Sequence, residues 1–344
     1  MRILYSACHE VLEFDELRML SDEGHTVFSL GHHFSPNFAG DLRPRVEAAS
    51  NAMLFDEFHR TGCDLQTKKL TKEFIRHFDI VILMHDPILL INNREAFGDI
   101  PVVVRTIGQS SVSIEYAYRS LGERISIVRY SQCELALAGF AKTDAVIYFG
   151  KYASDYMPWS GDGEGLSFHN SYLARNHSTV PDVHLWQKFA KATSSELRGV
   201  GSEDVTLGFG KAPYVEMKSL FSRAPWYFYV YTYPPSYTLN LMEAMLAGVP
   251  IIAPSIDLVD RLYTTTPYHN IILWSARRYE VEALVGGGGI FYDTVDEAIQ
   301  GTKRLAEDKD YARACSMAVR ENALRHFDAT RISRQWTKFL GSLV

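Results

Sequence analysis

Short runs of β-branched and aromatic residues alternate in this chain with longer stretches whose apolar positions recur at helical spacing. That alternation predicts parallel sheets assembled from strand–helix–strand units. In the first half it predicts strands at Arg2–Ala7, Thr26–Leu30, Asp79–Met84, Val102–Ile107, Ile125–Tyr130 and Ala145–Phe149. Phe14, Leu17 and Leu20 share one face, so a helix is expected over Phe14–Asp22, closed by Gly24, where a left-handed cap costs little.

The stretch Tyr156–Gly165 breaks both periodicities and is rich in glycine, proline and acids, which places a domain boundary there and gives domains 1–158 and 159–344. A second alternation follows: strand Leu166–Tyr172, helix Val183–Thr193, strand Val205–Phe209, helix Tyr214–Phe221, strand Trp226–Thr232, helix Leu239–Ala247 and strand Ile251–Ala253. From Thr294 onward the pattern is helical, and Ile332, Trp336, Phe339 and Leu340 form a stripe suited to lie on a neighbouring surface. Two α/β halves in tandem imply a cleft, because ligands of open sheets bind beyond the carboxyl ends of the strands.

A length of 344 residues suits two cores, and 47% hydrophobic with 22% charged residues is the balance of a soluble globular chain. The formal charge of −6 supplies no global basic field for nucleic acid. Cys8, Cys63, Cys133 and Cys315 lack metal-ligand spacing, and the N-terminus has neither a secretory pattern nor an apolar run of membrane length. A reducing, cytoplasmic setting is expected. His32 and His33 lack further ligands, Asp308 and Asp310 sit in a charged helical region, and Gly286–Gly289 precedes a strand instead of opening a helix. No metal site or phosphate-binding glycine loop is expected from them.

The segment with the most chemistry is YVYTYPPSYTLNLMEAMLAGVPIIAPS, residues 229–255. A buried strand runs into Pro234 and Pro235; Ser236 or Thr238 then caps a helix that Gly248 and Pro250 end. This puts the open amides and positive dipole end of a helix directly after a strand, which suits a diphosphate. At other strand ends lie further polar candidates: His9 and Glu10, His85 and Asp86, Gly108 and Gln109, and Lys211, for which a plain surface lysine is the simpler reading.

LMEAMLAGVPIIAP, Leu241–Pro254, resembles glycosyltransferase family 4 of the GT-B fold. GGGGIFYDTVDEAIQGTKRL and ENALRHFDATRISRQWTKFL resemble that family's closing segments, whose last helix crosses back to the first domain. The resemblance implies two facing Rossmann-like domains: an N-terminal domain for the acceptor and a C-terminal domain for a nucleotide-sugar donor. It implies a retaining transfer that needs no cofactor and no metal, the nucleotide sugar being a co-substrate and the acceptor a small molecule, a glycan or another hydroxyl. The family carries two glutamates separated by seven residues. The second, on the ribose, matches Glu243, while the first falls on Pro235, which has neither a side-chain acceptor nor an N–H. Sugar contacts would then come from the turn Ser236, Tyr237, Thr238 and Leu239. The family's Arg and Lys after the first strand of the donor domain fall at Asn170 and Arg175, so Arg175 is the expected catalytic cation, with His85 near the reacting sugar. Rival readings are a noncatalytic sugar-nucleotide or glycan-binding protein, a sugar-nucleotide epimerase on the same fold, and, less favoured for want of a basic stripe, a transferase acting on nucleic acid.

Overall fold

The computed structural model describes residues 1–35, 42–49, 51–108, 112–136, 139–168, 183–199, 202–204, 208–229, 237–265 and 279–344. The strands of the first half are β1 (Arg2–Ser6), β2 (Thr26–Ser29), β3 (Ile80–Met84), β4 (Val102–Arg105), β5 (Ile125–Arg129) and β6 (Ala145–Val146). Among them run α1 (Glu10–Asp22), α2 (Ala52–Arg60), α3 (Lys72–Ile75), α4 (Pro87–Phe97) and α5 (Val112–Leu121). The second half contains β7 (Leu166–Phe168), α6 (Val183–Thr193), β8 (Glu196–Arg198), α7 (Tyr214–Arg223), β9 (Tyr227–Phe228), α8 (Leu239–Ala247) and β10 (Ile251–Pro254). It continues through α9 (Ile256–Thr265), α10 (Val281–Val285), β11 (Gly289–Tyr292), α11 (Val295–Glu307) and α12 (Lys309–Phe327) to α13 (Ala329–Gly341).

The chain divides into two compact units, Met1–Gly150 with Ala329–Val344, and Lys151–Asp328. The crossing is therefore at Gly150/Lys151, ahead of the 158/159 boundary that composition suggests. The glycine- and acid-rich stretch is not a linker: Trp159 Nε1 donates to Ala224 O at 2.7 Å, Ser160 N to Ser222 O at 2.8 Å and Gly163 N to Arg223 O at 2.7 Å. These bonds pin it to the end of α7 inside the second unit.

The first unit holds a six-stranded sheet in the order β2-β1-β3-β4-β5-β6, parallel throughout. Every residue of β3 (IVILM) is buried, as expected of a strand covered on both faces. One core packs aromatic rings edge to face, such as Phe58 and Phe74 at 5.3 Å between centroids. Helix α1 begins at Glu10, earlier than the expected Phe14, and its opening turn buries Glu10 and Glu13 together with Val11 and Leu12. It ends as expected, with Gly24 at φ 80°. The apolar stripe of α13 is buried at Ile332, Trp336 and Leu340. The same helix ties to the end of α1, Ser333 Oγ donating to Glu23 Oε1 at 2.6 Å.

The second unit holds a five-stranded parallel sheet in the order β11-β10-β9-β7-β8. Phe189 stacks on Phe228 at 3.8 Å in its core, beside Trp186 and Ile252. The edge strand β8 is Glu196–Arg198, not the expected Val205–Phe209; of the latter, Gly208 makes an isolated bridge to Leu197 and 205–207 lie outside the described residues. ELR buries only its central leucine, so no apolar run marks it. Helix α8 has the expected bounds. Thr238 Oγ1 accepts from Leu241 N at 3.3 Å, and Gly248 at φ 83° ends the helix, its N–H donating to Met245 O at 3.0 Å. Among the described residues no helix is long and apolar enough to cross a membrane.

Candidate functional site

In each sheet the strand order turns back on itself once, and such a turning point opens a crevice beyond the carboxyl ends of the two strands that flank it. In the first unit the flanking strands are β1 and β3, so the loops concerned are those at Cys8–His9 and His85–Asp86. In the second they are β7 and β9, whose following segments are 169–182 and 229–238. The expected Asn170, Arg175 and Ser236 belong to those segments but lie outside the described residues.

At the first turning point His85 takes a left-handed backbone, φ 52°, while its N–H continues the β3–β4 ladder to Arg105 O at 3.0 Å. A non-glycine residue in that region is strained. Its Nδ1 is buried and has no hydrogen-bond partner among the described residues. Burial pushes the imidazole below its usual pKa, only partly countered by the negative Asp86 and Glu115, so the neutral ring prevails at neutral pH. Asp86 caps α4, Oδ1 accepting from Leu89 N at 3.0 Å, and both of its oxygens accept from Lys68 Nζ at 2.8 Å.

Sequence reading missed Lys68. It lies at φ 53° in a turn closed by the Asp64–Lys69 bridge, and Asn93 of α4 donates to its carbonyl at 2.7 Å while accepting from Leu70 N at 2.6 Å. Its left-handed backbone and its partner on another loop leave no local signal. Cys8 is exposed beside His9.

Two acceptor candidates change role. Glu10 is buried, and its Oε1 accepts from Leu42 N at 2.6 Å and Arg43 N at 2.9 Å, so it fastens a loop and does not present a carboxylate to a ligand. Gly108, at φ 79°, is buried against Tyr130, whose ring a Cβ would meet at 2.5 Å; its missing side chain accommodates the tyrosine, not a ligand. His9 is exposed and starts α1, its carbonyl accepting from Glu13 N at 3.0 Å. Gln109 lies outside the described residues. Further along α1, Glu13 accepts from Ser29 Oγ at 2.5 Å, His32 N at 2.8 Å and His33 N at 2.9 Å, and Gly31 is needed because a Cβ would strike that carboxylate. Glu16, fully buried, binds Arg105 Nε at 3.0 Å and the Tyr5 hydroxyl at 2.5 Å. Both acids are thus interior fasteners of α1.

At the second turning point the first turn of α8 carries no acidic residue. Thr238 Oγ1 and O receive the Leu241 and Met242 amides, which leaves the Leu239 and Asn240 N–H groups outside the helical ladder, in the positive end of the dipole. Leu239 is half-buried, and Tyr237 is buried with its ring 5.4 Å from that of Phe327, so Tyr237 supports the turn through packing. Glu243 is not a solvated acid at the surface but is fully buried, with Lys151 Nζ 2.9 Å from Oε1. Nearby, the Tyr227 hydroxyl has its pKa driven up by burial first and by the Glu243 charge among lesser causes. Lys211 is exposed, in the loop before α7. Among the described residues no group of three or more His, Cys, Asp or Glu is placed to hold a metal ion.

No known protein family matches the sequence, and no curated protein does. Solved structures match along the whole chain. Sucrose-phosphate synthase from Thermosynechococcus elongatus aligns with a TM-score of 0.64 at 12% identity, over 100% of this chain and 99% of that one. Anabaena HepE in complex with UDP-glucose aligns at 0.63 and 14%, over 99% and 100%. An alpha-glucosyltransferase in complex with UDP-glucose and DNA containing an abasic site aligns at 0.58 and 12%, over 99% of each chain. The two parallel-sheet units, with the last helix belonging to the first, therefore have the GT-B fold of these glycosyltransferases.

Proposed function

We propose that the protein is a retaining glycosyltransferase that moves a sugar from a nucleoside diphosphate to an acceptor hydroxyl without a metal ion. The observation that carries this reading is the start of α8: a helix N-terminus at the sheet's turning point, with two amides beyond the helical ladder and no acid of its own in the first turn. Such an end favours a diphosphate. The likeness in fold to proteins solved with UDP-glucose supports a nucleotide sugar over a bare phosphate, and makes UDP-glucose the first donor to try.

As the glycosidic bond breaks, negative charge grows on the departing diphosphate. The Leu239 and Asn240 amides, with Arg175, would stabilise that charge in the role a metal plays elsewhere. Glu243 would accept from ribose hydroxyls. Without a glutamate at Pro235, the sugar would rest on the amides and hydroxyls of Ser236 to Thr238. In the first unit the neutral His85, with Nδ1 unengaged among the described residues, offers an acceptor hydroxyl one hydrogen bond, either to align it or to relay its proton. The buried Glu10 leaves the acceptor contacts to His85, Asp86 and His9.

The test is calorimetric titration with a panel of nucleotide sugars, paired with detection of released nucleoside diphosphate and of the anomeric configuration of the product, all with a chelator present. Saturable binding with turnover and a retained anomer is expected. Binding without turnover over any acceptor would make the protein a sugar-nucleotide binder instead, and activity that disappears with the chelator would overturn the metal-free mechanism.

A further inference from the structure

The polypeptide enters the second unit at Lys151 and leaves it at Asp328, and these two residues face each other as a parallel bridge pair. Lys151 N donates to Phe327 O at 2.8 Å, which closes the pair. Both strands of this crossing are fixed to the start of α8 by different means. Phe327 packs its ring on Tyr237, the residue before the Thr238 cap. Lys151, only 2% exposed, sends its ammonium to Glu243.

Glu243 is the sole charge in α8, LNLMEAMLA, and every residue from Leu241 to Ala247 is buried. A lone carboxylate in such surroundings is costly and is tolerated when paired and hydrogen-bonded. Where only stability is at stake, a well-packed apolar pair serves as well or better. This pair instead sits one turn and a half into the helix whose first amides form the diphosphate site, and its cation comes from the crossing and not from the sheet or from α8 itself.

We propose that Lys151 is a positioning residue for the nucleotide: it holds the Glu243 carboxylate ionised and in one orientation for the ribose hydroxyls, and so ties ribose recognition to the crossing. The inference rests on the reading of α8 as the nucleotide site and adds a residue to it. Lys151 touches no part of the ligand; it acts through Glu243.

The experiment measures binding of UDP and of its 2′-deoxy and 3′-deoxy forms to wild type, Glu243→Gln, Lys151→Met and Lys151→Arg, by calorimetry on the full chain. Wild type should prefer UDP over at least one deoxy form by about tenfold or more, the size of one hydrogen bond to a charged group. Both Glu243→Gln and Lys151→Met should lose that preference, while Lys151→Arg, which keeps the charge, should retain most of it. The ratio of ribose to deoxyribose binding is the informative quantity, since a merely structural lysine would weaken all three ligands alike. If Lys151→Met does not fold, Lys151→Gln, with a donor but no charge, carries the same expectation. A Lys151 variant that keeps the wild-type preference, or weakens every ligand equally while Glu243→Gln abolishes the preference, overturns the proposal and leaves the ribose reading standing. A Glu243→Gln protein with undiminished preference, or a wild type that binds none of UDP, ADP and GDP, removes the ribose reading and this proposal with it.

Discussion

The helices that follow the turning-point strands of the two sheets are prepared for opposite charges. In the first unit α1 opens with Glu10 and Glu13 and α4 is capped by Asp86, so the positive ends of both helices already meet carboxylates of the chain. In the second unit α8 opens on a threonine cap with no acid in its first turn. The residues after β3 and before α8 differ in backbone as well: His85 holds a left-handed φ of 52°, whereas the Thr238 cap lies in the ordinary extended region at φ −110°. The difference teaches that two similar sheets do not make two equivalent sites. The dipole end of α8 favours an anion, whereas the carboxylates at the starts of α1 and α4 oppose one.

The largest effect should come from Glu243→Ala, which leaves the Lys151 ammonium buried without its carboxylate. A stability loss of ~3–5 kcal/mol in urea unfolding is expected. A loss under about 1 kcal/mol, the size seen for exposed pairs, would mean that the second unit does not depend on this interior charge.

Next, Asn240→Glu gives α8 the kind of acidic first turn that α1 has. The helix itself should gain roughly 0.3–1 kcal/mol from the dipole. UDP affinity should nevertheless fall by about ten- to a hundredfold, since the new carboxylate competes with and repels the diphosphate. Stability and affinity moving in opposite directions is the diagnostic result; unchanged affinity would place the anion elsewhere.

The smallest change is His85→Gly. Relief of the left-handed backbone should stabilise the protein by about 1 kcal/mol, read as a rise in the urea midpoint at constant slope. Turnover should drop with little change in UDP affinity if the imidazole serves the acceptor side, as proposed above. A variant that loses stability would show that packing of the ring outweighs the strain at φ 52°.

Helix α8 could be read from the sequence to the residue because its signals are local: a threonine before the first apolar position, leucines and methionine at helical spacing, then glycine and proline. The strand positions of the first unit likewise followed from periodicity, each expected run containing an observed strand. What escaped reading depends on partners remote in sequence. Glu10 looks like a polar residue near a strand end until the Leu42 and Arg43 amides close on it. Lys151 has nothing beside it in sequence to announce Glu243, and Lys68 nothing to announce Asp86. Strand β8 escaped for the reverse reason, since ELR borrows its place from the neighbouring strand and not from its own composition. Burial of charge is the common thread: a single sequence marks an acid as polar and says nothing of whether donors await it.

The bridge between Lys151 and Asp328 sets the entry and exit of the second unit side by side. Genetically, that makes the segment between them a cassette. A module whose two ends adjoin can be cut out, replaced by a homologous one or re-joined in a new order without threading the host chain through it. The host, Met1–Gly150 with Ala329–Val344, would need only a short splice between Gly150 and Ala329. On the proposed reading, donor preference could be exchanged by recombination at two adjacent points, with Lys151 and Glu243 travelling together inside the cassette.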